Sequence, residues 1–515
     1  MNQTLRNLGD LIDRSLPQSR IAIIDLRDAG QPREYTHQQI DELAGGVAHY
    51  LQARGYRRGD AIAIASLNRA EYIAAYFGIM RAGLVAVPLN IKVPAETLHY
   101  FLDDADIKLA FVDNARAELI GDSVTTINFD DDSSAGFVQQ ISPCTFDSVA
   151  PAAGELAMIL YTSGSTGRPK GVPLTHAGQY WALDATRFAG VEPDAAQARY
   201  IVAQPLFHMN GLFLVKRVFA ANGLLVVLPS FTIESYLHAL SYYRINIVTA
   251  VPTMFARLLR DPDISRYDFS QLQKVMLGSA PITAGLLNRI KAAFPDVTIS
   301  HGYGTTEAGP AVFGPHTDGL PVPPLSLGYP LASGEVKFAE GASADQGVLM
   351  MRNPAVTPGY HRLPEKSAAV LRDGWYYSGD VMRRDENGFY FFVGRADDMF
   401  VCSGENIYPG EVEKLLESHP AVRQTCVVPL DDEERGQIPV AFVVLQQGQS
   451  TSQDALKQHA LTHGPAYQHP RRIAFVNELP WAATNKVDRQ QLRQLALTLE
   501  QQQRWDDALA EPLHS

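Results

Sequence analysis

Short apolar runs recur along this chain, and each is followed by a longer stretch with helical spacing of its apolar residues. Ala61–Ala65 (AIAIA), Leu84–Pro88, Ile201–Ala203 and Leu224–Leu228 have no polar face, so as strands they must be covered on both sides. Arg69–Ala82 and Ile233–Tyr243 carry the periodicity of amphipathic helices. Strands buried on both faces and joined through helices belong to largely parallel sheets, which predicts an α/β architecture. At 515 residues, 46% hydrophobic and 19% charged, the chain has ordinary globular composition, with length for more than one domain.

Charge narrows the function. Lys plus Arg number 44 against 56 Asp plus Glu, a formal charge of −12, which argues against a nucleic-acid binder held by phosphate neutralisation. An anionic ligand must then be held by a local site. Three cysteines, Cys144, Cys402 and Cys426, show neither disulfide density nor metal-ligand spacing. The N-terminus mixes Asp10 and Asp13 with Leu5, Leu8, Leu11 and Ile12, unlike a secretory signal. Arg81, Lys216 and Arg217 interrupt the longest apolar stretches. These features predict a cytoplasmic protein without a transmembrane segment.

From Gly374 onward the texture changes to short β-like runs, Trp375–Tyr377 and Gly388–Val393, ended by the charged turn Gly394–Asp398. A boundary there divides the chain into residues 1–394, a large N-terminal domain of parallel-rich sheets with helices, and residues 395–515, a small mobile α+β C-terminal domain. In the latter, Pro409–Ser418 and Ser452–Leu461 read as helices and Thr425–Pro429 and Val440–Leu445 as strands.

The strongest local signal is the strand AMILYT running into SGSTGRPKGV. Thr162, Ser163, Ser165 and Thr166 supply hydroxyls, Gly164, Gly167 and Gly171 free the backbone, and Lys170 adds a cation, a combination able to wrap a polyphosphate. It is not a Walker loop, because Gly171 follows Lys170 where that motif needs Ser or Thr.

YTSGSTGRPKG resembles the signature of the adenylate-forming (AMP-binding) superfamily, which includes acyl- and aryl-CoA synthetases. Further matching motifs follow in that family's order: FHMNG at Phe207, GSAP at Gly278, GYGTTEAG at Gly302, YSGD at Tyr377, GRADDMFVCSGENIYPGEVE at Gly394 and LPWAATNKVDRQQL at Leu479. Asn485-Lys486 is also similar to the pair in 4-chlorobenzoate-CoA ligases.

The resemblance implies a chemistry and a set of roles. A carboxylate does not react with a thiol at neutral pH, so the family first makes an acyl adenylate from ATP with pyrophosphate release, then passes the acyl group to CoA. It implies that Thr162, Ser163, Gly164, Ser165, Thr166, Gly167 and Lys170 hold phosphates, that Thr306 bonds the α-phosphate and that Glu307 carries Mg²⁺. Tyr303 stacks on adenine with Gly278, Ser279, Ala280 and Pro281 lining the slot beside Gly304 and Thr305, and Asp380 accepts the ribose hydroxyls with Arg395 nearby. Lys486 is the implied adenylation catalyst, with Thr306 and His208 also catalytic, His208 as a gate on the acyl pocket.

Asp397 occupies the position about which the small domain rotates. Ser403, Gly404, Tyr467, Arg471 and Arg472 fall where related ligases hold CoA, although Ser403 stands where the family often has a second glycine. Asn485, Asp488 and Trp481 also depart from its commoner residues. The acyl pocket is expected from Phe207, His208, Met209, Leu212, Val251, Met254, Phe255, Gly309 and Pro310, mostly apolar. That composition favours a monocarboxylic acid, aromatic or of short to medium chain, although Lys216 and Arg217 are near in sequence and their direction is open. Cofactors are ATP, Mg²⁺ and CoA; the partners are these and the small-molecule carboxylic acid, with no nucleic acid and a homodimer left open. The alternative is a stand-alone adenylating enzyme loading an acyl carrier protein.

Overall fold

In a computed structural model the chain is described over residues 6–162, 168–187, 198–339, 343–481 and 487–505. Its first thirteen strands are β1 (Ile21–Asp25), β2 (Arg33–Thr36), β3 (Ala61–Ala65), β4 (Val85–Pro88), β5 (Ile107–Val112), β6 (Thr126–Asn128), β7 (Leu156–Thr162), β8 (Lys170–Thr175), β9 (Arg199–Val202), β10 (Leu224–Val227), β11 (Ile247–Ala250), β12 (Lys274–Leu277) and β13 (Thr298–His301). They form two sheets, ordered β6-β5-β3-β4-β7-β8 and β13-β12-β11-β9-β10-β1-β2. Every neighbouring pair is parallel except the edge pairs β7·β8 and β1·β2. The parallel-rich α/β expectation therefore describes the molecule.

One apolar cluster joins Ile62, Ala86 and Leu109 of the first sheet to Tyr200, Val202 and Leu225 of the second, through the helices Ala70–Arg81 and Met209–Ala220. Both helices thus lie between the sheets. Ala70–Arg81 is buried all round rather than on one face, so the amphipathic reading of this helix is corrected: it is packed between two sheets and has no solvent side. Its one cation, Arg81, is 1% exposed and reaches Asp41 at 2.6 Å and the Gly9 carbonyl at 2.7 Å. A buried guanidinium survives there because each side of its fork has an acceptor.

Residues 335–395 add an antiparallel sheet in which Trp375–Arg384 pairs with Tyr390–Arg395. The run Trp375–Tyr377 is only the start of that ten-residue strand. Pro315–Pro330, rich in proline, forms no strand beyond the short pairing of Phe313–Gly314 with Tyr329–Pro330.

From Phe400 the chain builds another five-stranded sheet with its own apolar cluster. The expected strands Thr425–Pro429 and Val440–Leu445 prove to be the middle of Val422–Asp432 and the C-terminal part of Gly436–Leu445, two long partners. Their polar ends, Asp431, Asp432 and Gln437, stay paired in a ribbon beyond the core, where apolar patterning gives no signal. Helix Gln453–His463 starts on Ser452, which accepts from the Ala455 amide.

Candidate active site

The C-terminal ends of the parallel strands in the second sheet face the Phe400–Trp505 region across a cleft of about 2520 Å³. That is room for a nucleotide and a second ligand together rather than for one small molecule.

At one end of the cleft, β7 and β8 form the arms of the Ser/Gly loop, with Thr162 paired to Lys170. Ser163, Gly164, Ser165, Thr166 and Gly167 lie outside the described residues. The Lys170 ammonium sits 4.2 Å from the centre of the Tyr360 ring, and burial lowers its pKa. Tyr360 in turn donates to Glu307 at 3.1 Å. Lys170 and Glu307 are therefore bridged by a tyrosine that no motif in the sequence singles out. Its only local signal is the Pro358-Gly359 turn before it, where Gly359 takes φ of +145°.

The GYGTTEAG segment folds back on itself after β13. The Thr305 amide donates to Gly309, and the Ala308 amide to the Thr305 hydroxyl. Gly304 is required there, since a Cβ would lie 2.4 Å from the Pro310 carbonyl carbon. The turn puts Tyr303, Gly304, Thr305, Thr306, Glu307 and Pro310 on the cleft wall, but Gly309 is turned toward Ala355 and Trp181 instead. Gly278, Ser279, Ala280 and Pro281 line the same wall. Ser279 has φ of +65°, uncommon for a side-chain-bearing residue, and accepts from Asn210 at 3.1 Å.

Tyr303 also belongs to a three-residue cluster on the cleft. The Tyr303 hydroxyl donates to one oxygen of Asp380, and Arg395 donates to the other at 2.8 Å and to the Ser378 carbonyl at 2.9 Å. The Asp380 amide bonds the Ser378 hydroxyl at 3.0 Å. Burial, then the Asp380 charge, hold the Tyr303 hydroxyl protonated far above the usual tyrosine range. Gly379 has φ of +71°, and a Cβ there would come within 3.0 Å of the Arg395 guanidinium. Asp397 extends the cluster, 3.3 Å from Arg395, with its side chain largely exposed.

His208 precedes helix Met209–Ala220, its ring 4.5 Å from Phe207, and is half-buried on the cleft wall. Phe207, Met209, Val251 and Met254 share that wall. Leu212 and Phe255 do not: both face the apolar core, at 1% and 0% exposure, each turned away from the cavity by its own helix, Met209–Ala220 and Pro252–Leu258.

The Phe400–Trp505 region contributes Glu413, Lys414, Trp481, Val487 and Arg489. Lys486 lies outside the described residues, but Trp481 and Val487, the two ends of its loop, are bridged to each other and both line the cleft. Asp488 caps helix Arg489–Gln502 by accepting from the Gln491 amide at 2.9 Å, which gives the acid at this position a structural reason. The expected CoA residues are not on the cleft wall. Ser403 and Gly404, with φ of +52° and +86°, form a two-residue hairpin turn, so serine here meets the left-handed geometry in which the family often has glycine. Tyr467 packs against the C-terminal core, Arg471 contacts His469, and Arg472 pairs with Glu500 at 3.1 Å.

The AMP-binding enzyme family matches residues 14–361, and the AMP-binding enzyme C-terminal domain matches residues 411–486. The chain belongs to the AMP-binding enzyme family. Among similar members, a feruloyl-CoA synthase from Amycolatopsis sp. is 31% identical over 89% of this chain and 93% of its own length. A 2-succinylbenzoate–CoA ligase from Geobacillus sp. (strain WCH70) is 29% identical over 93% and 95%. The o-succinylbenzoate CoA synthetase of Bacillus subtilis, solved with its acyl-adenylate intermediate, superposes with a TM-score of 0.79 at 27% identity, covering 93% of this chain and 96% of that one. No helix among the described residues is long and apolar enough to cross a membrane.

Proposed function

We propose that this AMP-binding enzyme is an ATP-dependent acid–CoA ligase that activates a monocarboxylic acid, aromatic or of short to medium chain, as its acyl adenylate. The observation that carries the proposal is the presence on one cleft of both Lys170–Tyr360–Glu307 and Tyr303–Asp380–Arg395. The first group suits the phosphates of a nucleotide and the second its nucleoside. CoA ligases at 29–31% identity over most of the chain support the same reading.

In the first half-reaction a carboxylate oxygen attacks the α-phosphorus, an acyl–phosphate bond forms and pyrophosphate leaves. Charge spreads over the phosphoryl oxygens, so fixed donors and cations are the effective lever. Lys170 and the hydroxyls of Thr162, Ser163, Ser165 and Thr166 steady the β and γ phosphates, Thr306 bonds the α-phosphate, and Lys486 is assigned as the adenylation catalyst. Asp380, held on the cleft by Arg395 and by the bond from its amide to the Ser378 hydroxyl, takes the ribose hydroxyls, for which the Tyr303 hydroxyl must give way.

Glu307 fits the role of Mg²⁺ ligand. It is half-buried on the cleft with one oxygen engaged by Tyr360, and a single carboxylate beside phosphates suits Mg²⁺. When bound there, Mg²⁺ supplies positive charge to the polyphosphate.

In the second half-reaction the thiolate attacks the acyl carbon and AMP leaves. Ser403, Gly404, Tyr467, Arg471 and Arg472 lie off the cleft while the Trp481–Val487 ends lie on it, which suits an arrangement for adenylation. We therefore assign residues 1–394 and 395–515 as two domains with a turn at Asp397 that exchanges these faces. A cytoplasmic location accompanies this reading.

Carboxylate-dependent pyrophosphate release, measured over benzoates, cinnamates and C2–C12 acids with and without CoA and with mass detection of products, tests the proposal. One acid yielding its CoA thioester supports it. Bound acyl-AMP that ignores free CoA replaces it with loading of a carrier protein.

A further inference from the structure

The phosphate end of the cleft is assembled from two segments far apart in sequence, the β8 arm that carries Lys170 and the turn after β13 that carries Glu307. Residues 353–361 run between them as a strap. On one side the His361 amide donates to the Gly171 carbonyl at 2.8 Å and the Thr357 hydroxyl to the Pro173 carbonyl at 2.7 Å. β8 is the edge of its sheet, and Gly171 and Pro173 are two residues apart, so their carbonyls point the same way off that edge, where the strap supplies the donors. On the other side the Thr357 amide donates to the Glu307 carbonyl at 2.6 Å and the Asn353 side chain to the Ala308 carbonyl at 3.1 Å. Thr357, at 3% exposure, thus bonds both segments at once.

Tyr360 carries this tie into the cleft. Its amide donates to the Ser367 hydroxyl at 2.8 Å and the next amide is held by Gly171, so the backbone there is pinned on both sides of a buried ring. The ring centre lies 4.2 Å from the Lys170 ammonium, and the hydroxyl donates to Oε1 of Glu307 at 3.1 Å. A ring face attracts an ammonium without giving it a counter-charge, so Lys170 is held in place while its positive charge stays available to phosphate oxygens. A carboxylate with a phenol on one oxygen presents the other. Ca²⁺ binds carboxylates through one oxygen or both, whereas Mg²⁺ demands near-octahedral geometry and is bound through one or two carboxylates together with phosphates.

We infer that Tyr360 is a positioning residue with two separable parts: its ring places the Lys170 ammonium for the nucleotide phosphates, and its hydroxyl, by occupying one oxygen of Glu307, restricts that carboxylate to a single-oxygen contact that favours Mg²⁺ over Ca²⁺. The inference rests on the reading above, in which Lys170 meets phosphates and Glu307 meets Mg²⁺, and adds to it the residue that sets both.

Calorimetric titration of ATP into the full chain, with Mg²⁺, with Ca²⁺ and with a chelator, reads the two parts independently of turnover. Tyr360→Phe keeps the ring and deletes the hydroxyl. Its affinity for metal-free ATP is expected to stay within about twofold of wild type, while the ratio of Kd with Ca²⁺ to Kd with Mg²⁺ falls about fivefold. Tyr360→Leu, or Tyr360→Met should the first not fold, removes the ring as well and is expected to weaken metal-free ATP binding by about three- to tenfold. A wild type that binds ATP equally with the two cations overturns the inference, and so does an unchanged cation ratio in Tyr360→Phe. Loss by one common factor in all three titrations marks a merely structural tyrosine and overturns it too. Metal-free binding by the ringless variant equal to that of Tyr360→Phe overturns the part assigned to the ring. A wild type that takes up no ATP with either cation signals instead that the nucleotide reading of the cleft has failed.

Discussion

Lys216 offers the sharpest energetic test of the packing. It is wholly buried between the helices His176–Arg187 and Met209–Ala220, its ammonium bonded to the Gln179 side chain, and burial pushes it down to about 7. An unfolded lysine titrates near 10.4, so between pH 7 and about 10 the unfolded chain binds the extra proton and the folded one does not. Stability linked to this group is fully present above the unfolded value and is lost as pH falls toward 7. At about 1.4 kcal/mol per pKa unit, the folded protein at pH 7 forfeits roughly 4–5 kcal/mol relative to a neutral side chain.

Lys216→Met keeps the stem and removes the titration, at the expense of leaving the Gln179 oxygen unbonded, about 1–3 kcal/mol. The expected net gain at pH 7 is about 2–3 kcal/mol, shrinking to nothing or reversing by pH 10. Urea unfolding of both proteins from pH 6.5 to 10 measures the difference, and the double variant with Gln179→Leu removes the oxygen penalty. A wild-type-minus-variant difference that stays constant across that range would refute the reasoning.

Lys486→Ala is expected to abolish acyl-AMP formation while sparing thioester formation from supplied acyl-AMP; equal loss of both half-reactions in stopped assays would contradict the exchange of domain faces. Asp380→Ala should raise the KM for ATP by at least about tenfold, since it removes a charged acceptor buried beside Tyr303 and Arg395, and unchanged ATP saturation would exclude it from the nucleoside site. Asp488→Ala removes a helix N-cap and should lower stability by about 1 kcal/mol, read in thermal melts. Gly379→Ala forces a side chain into left-handed backbone against Arg395, and is expected to weaken ATP binding and folding together, whereas wild-type melting and KM would remove that contact from the argument.

Much of the fold was legible because its strands are buried on both faces, and AIAIA at residues 61–65 was placed to the residue. Helix Ala70–Arg81 was readable from its helical spacing, but its burial on every side was not, since that depends on the sheets packed against it. The polar half of the Val422–Asp432 ribbon was not, since pairing beyond a core leaves no apolar pattern. Phosphate-loop chemistry was visible as hydroxyls, glycines and a lysine within ten residues. Tyr360 was invisible, because what makes it matter is contact with residues far away in sequence, Lys170 and Glu307.

The sequence by itself determined the parallel sheets, the family and the chemical types of the site residues, because each rests on local spacing or on which side chains can perform a reaction. Only the tertiary structure decided that Tyr303, Asp380 and Arg395 share one hydrogen-bonded cluster, and that Leu212 and Gly309 turn away from the cleft. It also decided that Lys216 and Arg217, adjacent in sequence, face a closed core and the cleft. Successive helix positions differ by about 100°, so which of two neighbouring cations lines the cleft depends on how the helix is rotated against the sheet, and that is fixed by packing across the whole domain.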